Sequence, residues 1–413
     1  MRRPAGEWPG VCEATRGCVD AVLTGDDPGV MVARTLYEPE HEDLRRSAQE
    51  FLARHVLPRH EEFIAAKAIP RDVWIEAGKQ GFLGLHVPEE YGGGGIGDDY
   101  RYAAVLAEVW SGFSGAFSSC IGIHSDVNAP YLVELTTQEQ RRRWLPPFCT
   151  GELWTAIGMT EPGGGSDLKA LRTTAVRDGD AYVVNGSKTF ITNGYSADMV
   201  ITAVRTDPDK GAKGISLLGI ETGMPGFTRG RKLDKVGQDE SDTAELFFTD
   251  VRVPVANLIG EEGQGFVAMM ERLPQERIGA AVSNLANARA ILDETLEYVR
   301  ERKAFGQSIG SFQHNTFLLA ELVTTVEVTQ AFVDQAVMAH VRRELTAVDA
   351  AKAKWWTAQV QNDVLDACVQ LFGGYGYMNE YRVARAWRDA RVTKIWAGSN
   401  EIMKAIIGRD LGL

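Results

Sequence analysis

The period of the hydrophobic pattern changes twice along the chain, and this change constrains the fold more than any other feature. Over residues 38–150 apolar side chains recur every three or four positions, as on one face of an α-helix. Over residues 153–259 they alternate with polar ones, as in half-buried β-strands. From Phe266 onward the helical period returns. The pattern predicts an N-terminal helical domain, a central antiparallel and barrel-like β domain, and a C-terminal four-helix bundle.

The individual elements can be located from turn and cap signals. We place the domains at 35–152, 153–262 and 263–413. In the central domain, Asp178-Gly179-Asp180 separates two short alternating runs and predicts a hairpin. The remaining predicted strands are 199–204, 215–220 and 243–248, and the predicted long helices are near 275–300, 312–344 and 347–372. Gly373-Gly374 is typical of the end of the last helix.

Residues 1–34 differ from the rest of the chain. They combine Arg2-Arg3, scattered acidic residues and Gly/Pro-rich stretches, with no apolar segment of signal-peptide type. We interpret them as a disordered tail or as the product of a misassigned start site, with Met31 as the natural first residue.

Composition excludes several classes of function. The chain has 413 residues, a net charge of −12 and a pI near 5.2, which argues against nucleic-acid binding through a general basic surface. Neither its five cysteines nor its seven histidines have the spacing of metal ligands, so we predict no metal site. Because the cysteines are odd in number and scattered, we expect a reducing, cytoplasmic location. No uninterrupted run of about 18 apolar residues occurs, so we expect no membrane span.

Residues 158–170 contain the most specific motif and read GMTEPGGGSDLKA. The glycines let backbone amides approach a ligand closely, and hydroxyl groups can donate hydrogen bonds to it. Every constrained position resembles the first signature of the acyl-CoA dehydrogenases, a family of flavoproteins that hold the flavin ring of FAD at this loop. The alternative is an ordinary glycine-rich surface turn. The resemblance assigns five residues to FAD, Ile157, Met159, Thr160, Gly165 and Ser166, and it assigns Ser166 also to the substrate.

Further segments resemble the same family in the same order. Residues 188–194 read KTFITNG and imply that Phe190 covers the flavin ring and that Thr192 bonds to it, although Phe190 and Ile191 by residue type alone are typical of a core. Residues 370–377, QLFGGYGY, resemble the second family signature, which approaches the adenosine part of FAD across a subunit boundary. Residues 302–306, RKAFG, resemble a segment that reaches the pyrophosphate of a neighbouring subunit's FAD. These resemblances assign to FAD Arg302, Phe305, Gln313, Gln370, Gly373, Gly374, Ser399 and Glu401.

A string of glycines at 92–97 fits the dinucleotide fingerprint G-x-G-x-x-G, but it predicts no nucleotide site. The preceding residues, Pro88-Glu89-Glu90-Tyr91, do not form a buried strand, and no β-α-β unit follows. We expect a loop there.

The position of the catalytic base separates branches of the family. Dehydrogenation of an acyl thioester requires a carboxylate, shielded from water, to remove the α proton. Much of the family carries it in the loop that matches residues 396–399, where this chain has Ala397. The long-chain and isovaleryl branches carry it on the first helix of the C-terminal bundle, at the position of Glu276, and the context LPQERI resembles the long-chain branch. A solvent-exposed glutamate in the first turn of a helix is the alternative for Glu276.

The resemblance covers about residues 38–413 and implies an FAD-dependent acyl-CoA dehydrogenase. Glu276 would remove the α proton, and the backbone N–H of Ala397 would polarise the thioester carbonyl as an oxyanion hole does. Arg277 would contact the CoA portion, and Trp396 would shape the acyl pocket. The implied partners are an acyl-CoA, an electron-transfer flavoprotein and three further copies in a homotetramer. Two alternatives stay open: a flavin monooxygenase or oxidase on this fold, and a non-catalytic acyl-CoA-binding or assembly protein.

Overall fold

The computed structural model describes residues 34–413. The predicted tail, residues 1–34, lies outside the described residues apart from Arg34. Arg34 is bound to the helical domains, because its guanidinium pairs with Glu108 and Asp334.

The N-terminal domain is helical, as predicted. Two of its helices begin at identifiable caps: Thr137 accepts the Gln140 N–H in a reciprocal capping box, and Ser114 accepts the Phe117 N–H. Residues 123–128 form a π-helical turn that joins two of these helices. The α-helices of this domain are α1 (Pro39–Phe51), α2 (His60–Ala66), α3 (Arg71–Lys79), α4 (Arg101–Phe113), α5 (Gly115–Gly122), α6 (Ala129–Glu134) and α7 (Gln138–Cys149).

The central domain is a sheet of eight strands, five of which appear where alternation predicted them, whereas 155–158, 227–232 and 258–259 were not predicted as strands. The strands are β1 (Thr155–Gly158), β2 (Thr174–Asp178), β3 (Ala181–Ile191), β4 (Met199–Arg205), β5 (Ile215–Glu221), β6 (Phe227–Lys232), β7 (Ala244–Pro254) and β8 (Leu258–Ile259). They are ordered β6-β7-β3-β2-β4-β5-β8, with β1 beside β4. The predicted hairpin is confirmed, since β2 and β3 pair antiparallel around Gly179, whose φ is +64°.

The expectation of a purely antiparallel domain is wrong. Strand β1 runs parallel to β4 over four residue pairs, and β2 touches β4 in a parallel bridge. A strand direction depends on how the chain returns after a long connection, which alternation of residue types does not encode. The sheet is therefore mixed.

The C-terminal domain contains three long helices and two short ones. They are α8 (Gly265–Glu301), α9 (Gln313–Val341), α10 (Ala347–Phe372), α11 (Arg382–Ala390) and α12 (Asn400–Asp410), and a small hairpin of β9 (Lys303–Ala304) and β10 (Gln307–Ser308) joins α8 to α9. The last long helix ends at Gly373, which has φ +61°. Helix α8 begins about ten residues earlier than predicted, because Pro274 lies inside it rather than near its start. Proline removes a backbone donor there without ending the helix.

Packing of α8 joins the three domains. It lies against α10 and α9 in the bundle and against α4 of the N-terminal domain, and one core includes Ala104 of α4, Leu285 of α8 and Leu365 of α10. Within residues 34–413, α9 is long and apolar enough to cross a membrane by length and composition, although 33% of its most apolar window is buried against its neighbours. The absence of a membrane span stays a prediction.

Candidate active site

A cavity of about 340 Å³ lies where the three domains meet. Glu276 and Gly279 of α8 form one wall, Phe190 and Thr192 at the end of β3 form another, and Trp396 closes a third side. Of the residues assigned from sequence, the structure brings into this one cavity Ile157, Met159, Thr160, Gly165, Phe190, Thr192, Glu276, Trp396 and Ala397.

Glu276 lines this cavity and is partly buried. Tyr131, from α6, donates a hydrogen bond of 3.3 Å from its hydroxyl to Glu276 Oε1. Burial raises the pKa of the Glu276 carboxyl to about 7, and the Tyr131 hydrogen bond and the charge of Arg277 oppose that rise only in part. A carboxyl group with this pKa can accept or release a proton at neutral pH. The alternative of a solvent-exposed helix glutamate does not fit this position.

The turn of α8 that carries Glu276 is fixed by contacts with the π-helical turn. Gln275 donates from Nε2 to Asp126 Oδ1 at 2.9 Å, and the Tyr100 hydroxyl donates to Asp126 Oδ2 at 2.9 Å. Gly279 allows this approach, because a Cβ at that position would lie 2.6 Å from Asp126 Oδ2. The glutamate is thereby held on one face of α8.

The loop from Trp396 to Ser399 presents a free backbone donor to the cavity. Ala397 has φ +51° and Gly398 has φ +86°, two consecutive residues in the left-handed region. The loop ends at Ser399, which caps α12 by accepting the Ile402 N–H. Among residues 34–413, the Ala397 N–H has no hydrogen-bond acceptor. An oxygen atom in the cavity can therefore bond to it.

A buried lysine supports this loop. Lys354 of α10 is fully buried and donates from Nζ to the Gly398 carbonyl at 2.7 Å. Burial, together with the charge of Arg277, lowers the pKa of Lys354 to about 8. Sequence analysis missed this residue, since a lysine on a helix is typical of a solvated face.

The opposite wall fits a flat aromatic ligand. Phe190 is 70% exposed, with φ +59° at the end of β3, whereas its neighbour Ile191 lies in the core. A Cβ on Gly163 would contact nothing within 4 Å, and one on Gly165 would meet only the Thr160 side chain at 3.6 Å, so the loop surrounds open space. An exposed ring beside glycine-rich backbone suits the flavin ring of FAD, which Thr160 and Thr192 could hold by hydrogen bonds.

The glycine-rich loop is held by a buried ion pair. Lys188 Nζ lies 2.7 Å from Glu161 Oε1, with the lysine fully buried and the glutamate 8% exposed. Glu161 also accepts the backbone N–H groups of Arg172, at 2.6 Å, and Thr173, at 2.9 Å. Burial raises the pKa of Glu161, but the hydrogen bonds from Lys188, Thr173 and Arg172 and the charge of Lys188 together outweigh this effect, and the pKa is lower than usual. The loop and β3 are thus joined beside the cavity.

The residues assigned to a neighbouring subunit's FAD lie outside this cavity. Phe305 is 96% exposed and Tyr377 82% exposed, and Arg302 lies 5.7 Å over the Tyr375 ring. All of the assigned residues of this set are exposed, namely Arg302, Phe305, Gln313, Gln370, Gly373 and Gly374. Their role in FAD binding stays a prediction.

Four further assigned residues lie near the cavity without lining it. Ser166 and Glu401 are exposed, and Ser399 forms the helix cap. Arg277 is 6% exposed, its Nε has no hydrogen-bond partner among residues 34–413, and burial lowers its pKa. An unpaired buried guanidinium nitrogen suits an anionic ligand.

Histidines play structural roles where the structure describes their contacts. His124 is fully buried between the Phe148 carbonyl and Thr155, as expected of a satisfied core residue. One cluster within residues 34–413, Glu38, Glu40 and His41, has ligand atoms within 4.8 Å of one another. His41 Nδ1 already accepts the Glu38 N–H.

The three described cysteines, Cys120, Cys149 and Cys368, are buried free thiols.

Comparison with known proteins identifies the family. Models of the N-terminal, middle and C-terminal domains of acyl-CoA dehydrogenase match residues 38–152, 156–251 and 263–412. The chain belongs to the acyl-CoA dehydrogenase family. It is 44% identical to the long-chain specific mitochondrial acyl-CoA dehydrogenase of Sus scrofa over 384 residues, which cover 92% of this chain and 88% of that protein.

Solved structures of the acyl-CoA dehydrogenase fold superpose closely. An acyl-CoA dehydrogenase from Geobacillus kaustophilus is 44% identical with a TM-score of 0.90, over 92% of this chain and all of that one. A chain from a structure described as an electron transferring flavoprotein of Acidaminococcus fermentans is 36% identical with a TM-score of 0.87, over 92% of this chain and 99% of that one. These relatives confirm the predicted family, the three-domain fold, the FAD cofactor and the dehydrogenation of acyl-CoA.

Proposed function

We propose that the chain converts a saturated long-chain acyl-CoA into the trans-2-enoyl-CoA, with Glu276 as the base. The observation that carries this assignment is the position of Glu276, a shielded carboxyl with a pKa of about 7, in the cavity that also holds Phe190 and Ala397. Position 397 cannot supply a base, because alanine has no titratable side chain. Asp126 and Asp389 also line the cavity, but Asp126 is bound by Gln275 and Tyr100 and Asp389 by the Gln238 N–H, so we assign the role of base to Glu276.

The reaction balances with one proton and one hydride. Glu276 takes the α proton, the electron pair of that C–H bond forms the α,β double bond, and a hydride leaves the β carbon. FAD, when bound, supplies the hydride acceptor. Negative charge develops on the thioester oxygen as the proton leaves, and the Ala397 N–H stabilises it by hydrogen bonding. Lys354 keeps that donor in place by binding the Gly398 carbonyl.

The remaining assigned residues bind the substrate and FAD. Thr160, Gly165, Phe190 and Thr192 would hold the flavin ring, with Ile157 and Met159 beside them. Arg277 and Ser166 would contact the CoA portion, which carries the phosphate groups that an arginine binds well. Trp396 would border the acyl chain near the thioester.

We further infer a long-chain substrate, a homotetramer and an electron-transfer flavoprotein as acceptor. The long-chain preference is supported by the Sus scrofa relative and by the depth of the cavity. The assembly is supported by large apolar side chains at the bundle surface, such as Phe317 at 59% exposure and Val328 at 67%. A second copy that covers this surface would also bring Arg302 and Phe305 to the neighbour's FAD. A cytoplasmic location fits the buried free thiols.

Anaerobic titration with a panel of acyl-CoAs tests the function. We expect the flavin absorbance of the FAD-loaded protein to bleach with at least one long-chain acyl-CoA, and an enoyl-CoA to form in equal amount. Rapid reoxidation of the reduced protein by oxygen, without any electron-transfer flavoprotein, would instead support an oxidase. Binding without bleaching for every chain length would support a non-catalytic acyl-CoA-binding protein.

The rate of flavin reduction will depend on pH through Glu276. Only the carboxylate accepts a proton, so the rate rises with pH, is half-maximal near pH 7 and falls about tenfold per unit below it. Tyr131→Phe removes a hydrogen bond that favours the carboxylate, and its half-maximal point will therefore move to higher pH. Stopped-flow measurement of flavin reduction across the pH range gives both profiles. Identical profiles for the two proteins would contradict the role of Tyr131.

A further inference from the structure

The cavity continues inward from Glu276 along one face of α8. Its lining includes Gly279, Ala280, Ser283 and Asn287, which lie three, four, seven and eleven positions after Glu276, the spacing of one helix face. Eleven residues of helix separate Glu276 from Asn287, a distance of about 16 Å. An extended chain covers about 3.5 Å in three bonds, so about 13 or 14 bonds reach from the base to Asn287.

The inner end of this cavity is polar. Asn287 Nδ2 donates to the Ser111 carbonyl at 3.0 Å, and Gln361 Nε2 donates to Asn287 Oδ1 at 2.9 Å. The Ser111 carbonyl can only accept, so it fixes the orientation of the Asn287 amide, and that amide in turn fixes the orientation of Gln361. The direction of both amides therefore follows from one backbone oxygen.

This relay leaves a buried acceptor without a hydrogen-bond partner on Gln361, a residue that lines the cavity. Gln361 is 3% exposed, and its Oε1 has no hydrogen-bond partner among residues 34–413. Trp110 also lines the cavity and is 2% exposed, and its Nε1 donor is likewise without a partner in the described part of the chain. Buried polar groups in native proteins are nearly always paired, so two open groups on one cavity indicate a ligand with polar atoms.

Small side chains leave room at this end. Gly115 and Ser118 line the cavity, and a second cavity of about 240 Å³ lies next to it. The two cavities share Gly115, Asn287 and Asp389 in their walls. These small and shared lining residues are compatible with an acyl group that extends toward Gln361.

We propose that the inner end of the cavity binds a hydroxyl group on the distal part of the acyl chain, so that hydroxylated long-chain acyl-CoAs are the preferred substrates. The hydroxyl donates to Gln361 Oε1, and its oxygen is able to accept from a donor such as Trp110 Nε1. Its distance from the thioester is about 13 or 14 bonds. The inference rests on the proposed dehydrogenation, and the hydroxyl itself does not react.

The test compares unsubstituted acyl-CoAs with their terminally hydroxylated counterparts of the same length, from dodecanoyl to octadecanoyl. Dissociation constants are measured by calorimetry and flavin reduction by anaerobic stopped flow, on the FAD-loaded wild type and on Gln361→Met. We expect wild type to bind the hydroxylated chain about threefold to tenfold more tightly at one chain length, as one hydrogen bond allows. In Gln361→Met this preference will disappear.

Gln359→Met is the matched control. Gln359 lies on the same helix and bonds to Asp363 near the surface, so its replacement leaves the preference unchanged. Equal affinity of wild type for the two chains at every length would overturn the inference, whether or not the variants fold. If no acyl-CoA bleaches the flavin, the proposed reaction fails, while the ratio of dissociation constants still decides whether the hydroxyl is recognised.

Discussion

Replacement of Glu276 by glutamine will abolish flavin reduction by acyl-CoA while leaving acyl-CoA binding intact. Glutamine keeps the size of the side chain and its contact with the Tyr131 hydroxyl, but its amide cannot take the α proton. A positioned general base contributes about 10²-fold to 10⁴-fold, so we expect the reduction rate to fall by at least that factor. The measurement is anaerobic stopped flow at saturating acyl-CoA, with calorimetry to show that binding persists.

Glu271→Gln provides the control for this variant. Glu271 lies on the same helix, but it is exposed and pairs only loosely with Arg272 at 3.7 Å. Its replacement removes the same charge from α8 without touching the cavity, and the reduction rate will stay at the wild-type level. Normal flavin reduction in Glu276→Gln would show that another group removes the proton.

Replacement of Lys188 by methionine will destabilise the protein and release FAD. The substitution removes one partner of a buried ion pair and leaves the Glu161 carboxylate without its counterion beside the glycine-rich loop. Loss of one partner of such a pair costs on the order of 3 kcal/mol in the free energy of unfolding. Because Glu161 also holds the Arg172 and Thr173 amides, the loop that faces the flavin will lose its anchor. Thermal unfolding and the fraction of bound FAD after gel filtration measure the two effects.

The matched control is Lys169→Met, which removes a lysine from the same loop. Lys169 is exposed, and the Glu161 to Lys188 pair stays complete. Both the unfolding temperature and the FAD content will therefore stay near the wild-type values. A double variant, Glu161→Gln with Lys188→Met, removes both charges and is expected to recover part of the lost stability. If Lys188→Met unfolds and retains FAD as the wild type does, the ion pair does not anchor the loop.

Local patterns accounted for most of the fold. The change in period located the three domains, Gly179 marked the hairpin and Gly373 marked the end of α10, because each of these features depends on neighbouring residues. The errors concern non-local geometry. The parallel direction of β1 depends on a partner strand more than 40 positions away, and the interior position of Pro274 depends on packing that keeps α8 continuous.

The residues of the candidate site also fall into two groups, those that sequence patterns predicted and those that depend on contacts between distant parts of the chain. Motif order assigned Phe190, Thr192, Glu276 and Ala397 to one site, and the structure brings them to one cavity. Residue type alone predicted a core position for Phe190, but a positive φ at the end of β3 turns its ring into the cavity. Residues that support the site carry no local signal: Tyr131 reaches Glu276 across 145 positions, and Lys354 reaches Gly398 across 44.

Sequence patterns alone establish the family, the order of the domains and the absence of a base at position 397. These properties follow from the hydrophobic periodicity, from the glycine spacing and from the chemistry of single side chains. Tertiary packing raises the pKa of Glu276 to about 7, leaves the Ala397 N–H free, and leaves the Gln361 Oε1 acceptor unpaired beside the acyl cavity. Solvation and hydrogen-bond partners are set by residues distant in the chain, so they exist only once the domains have packed.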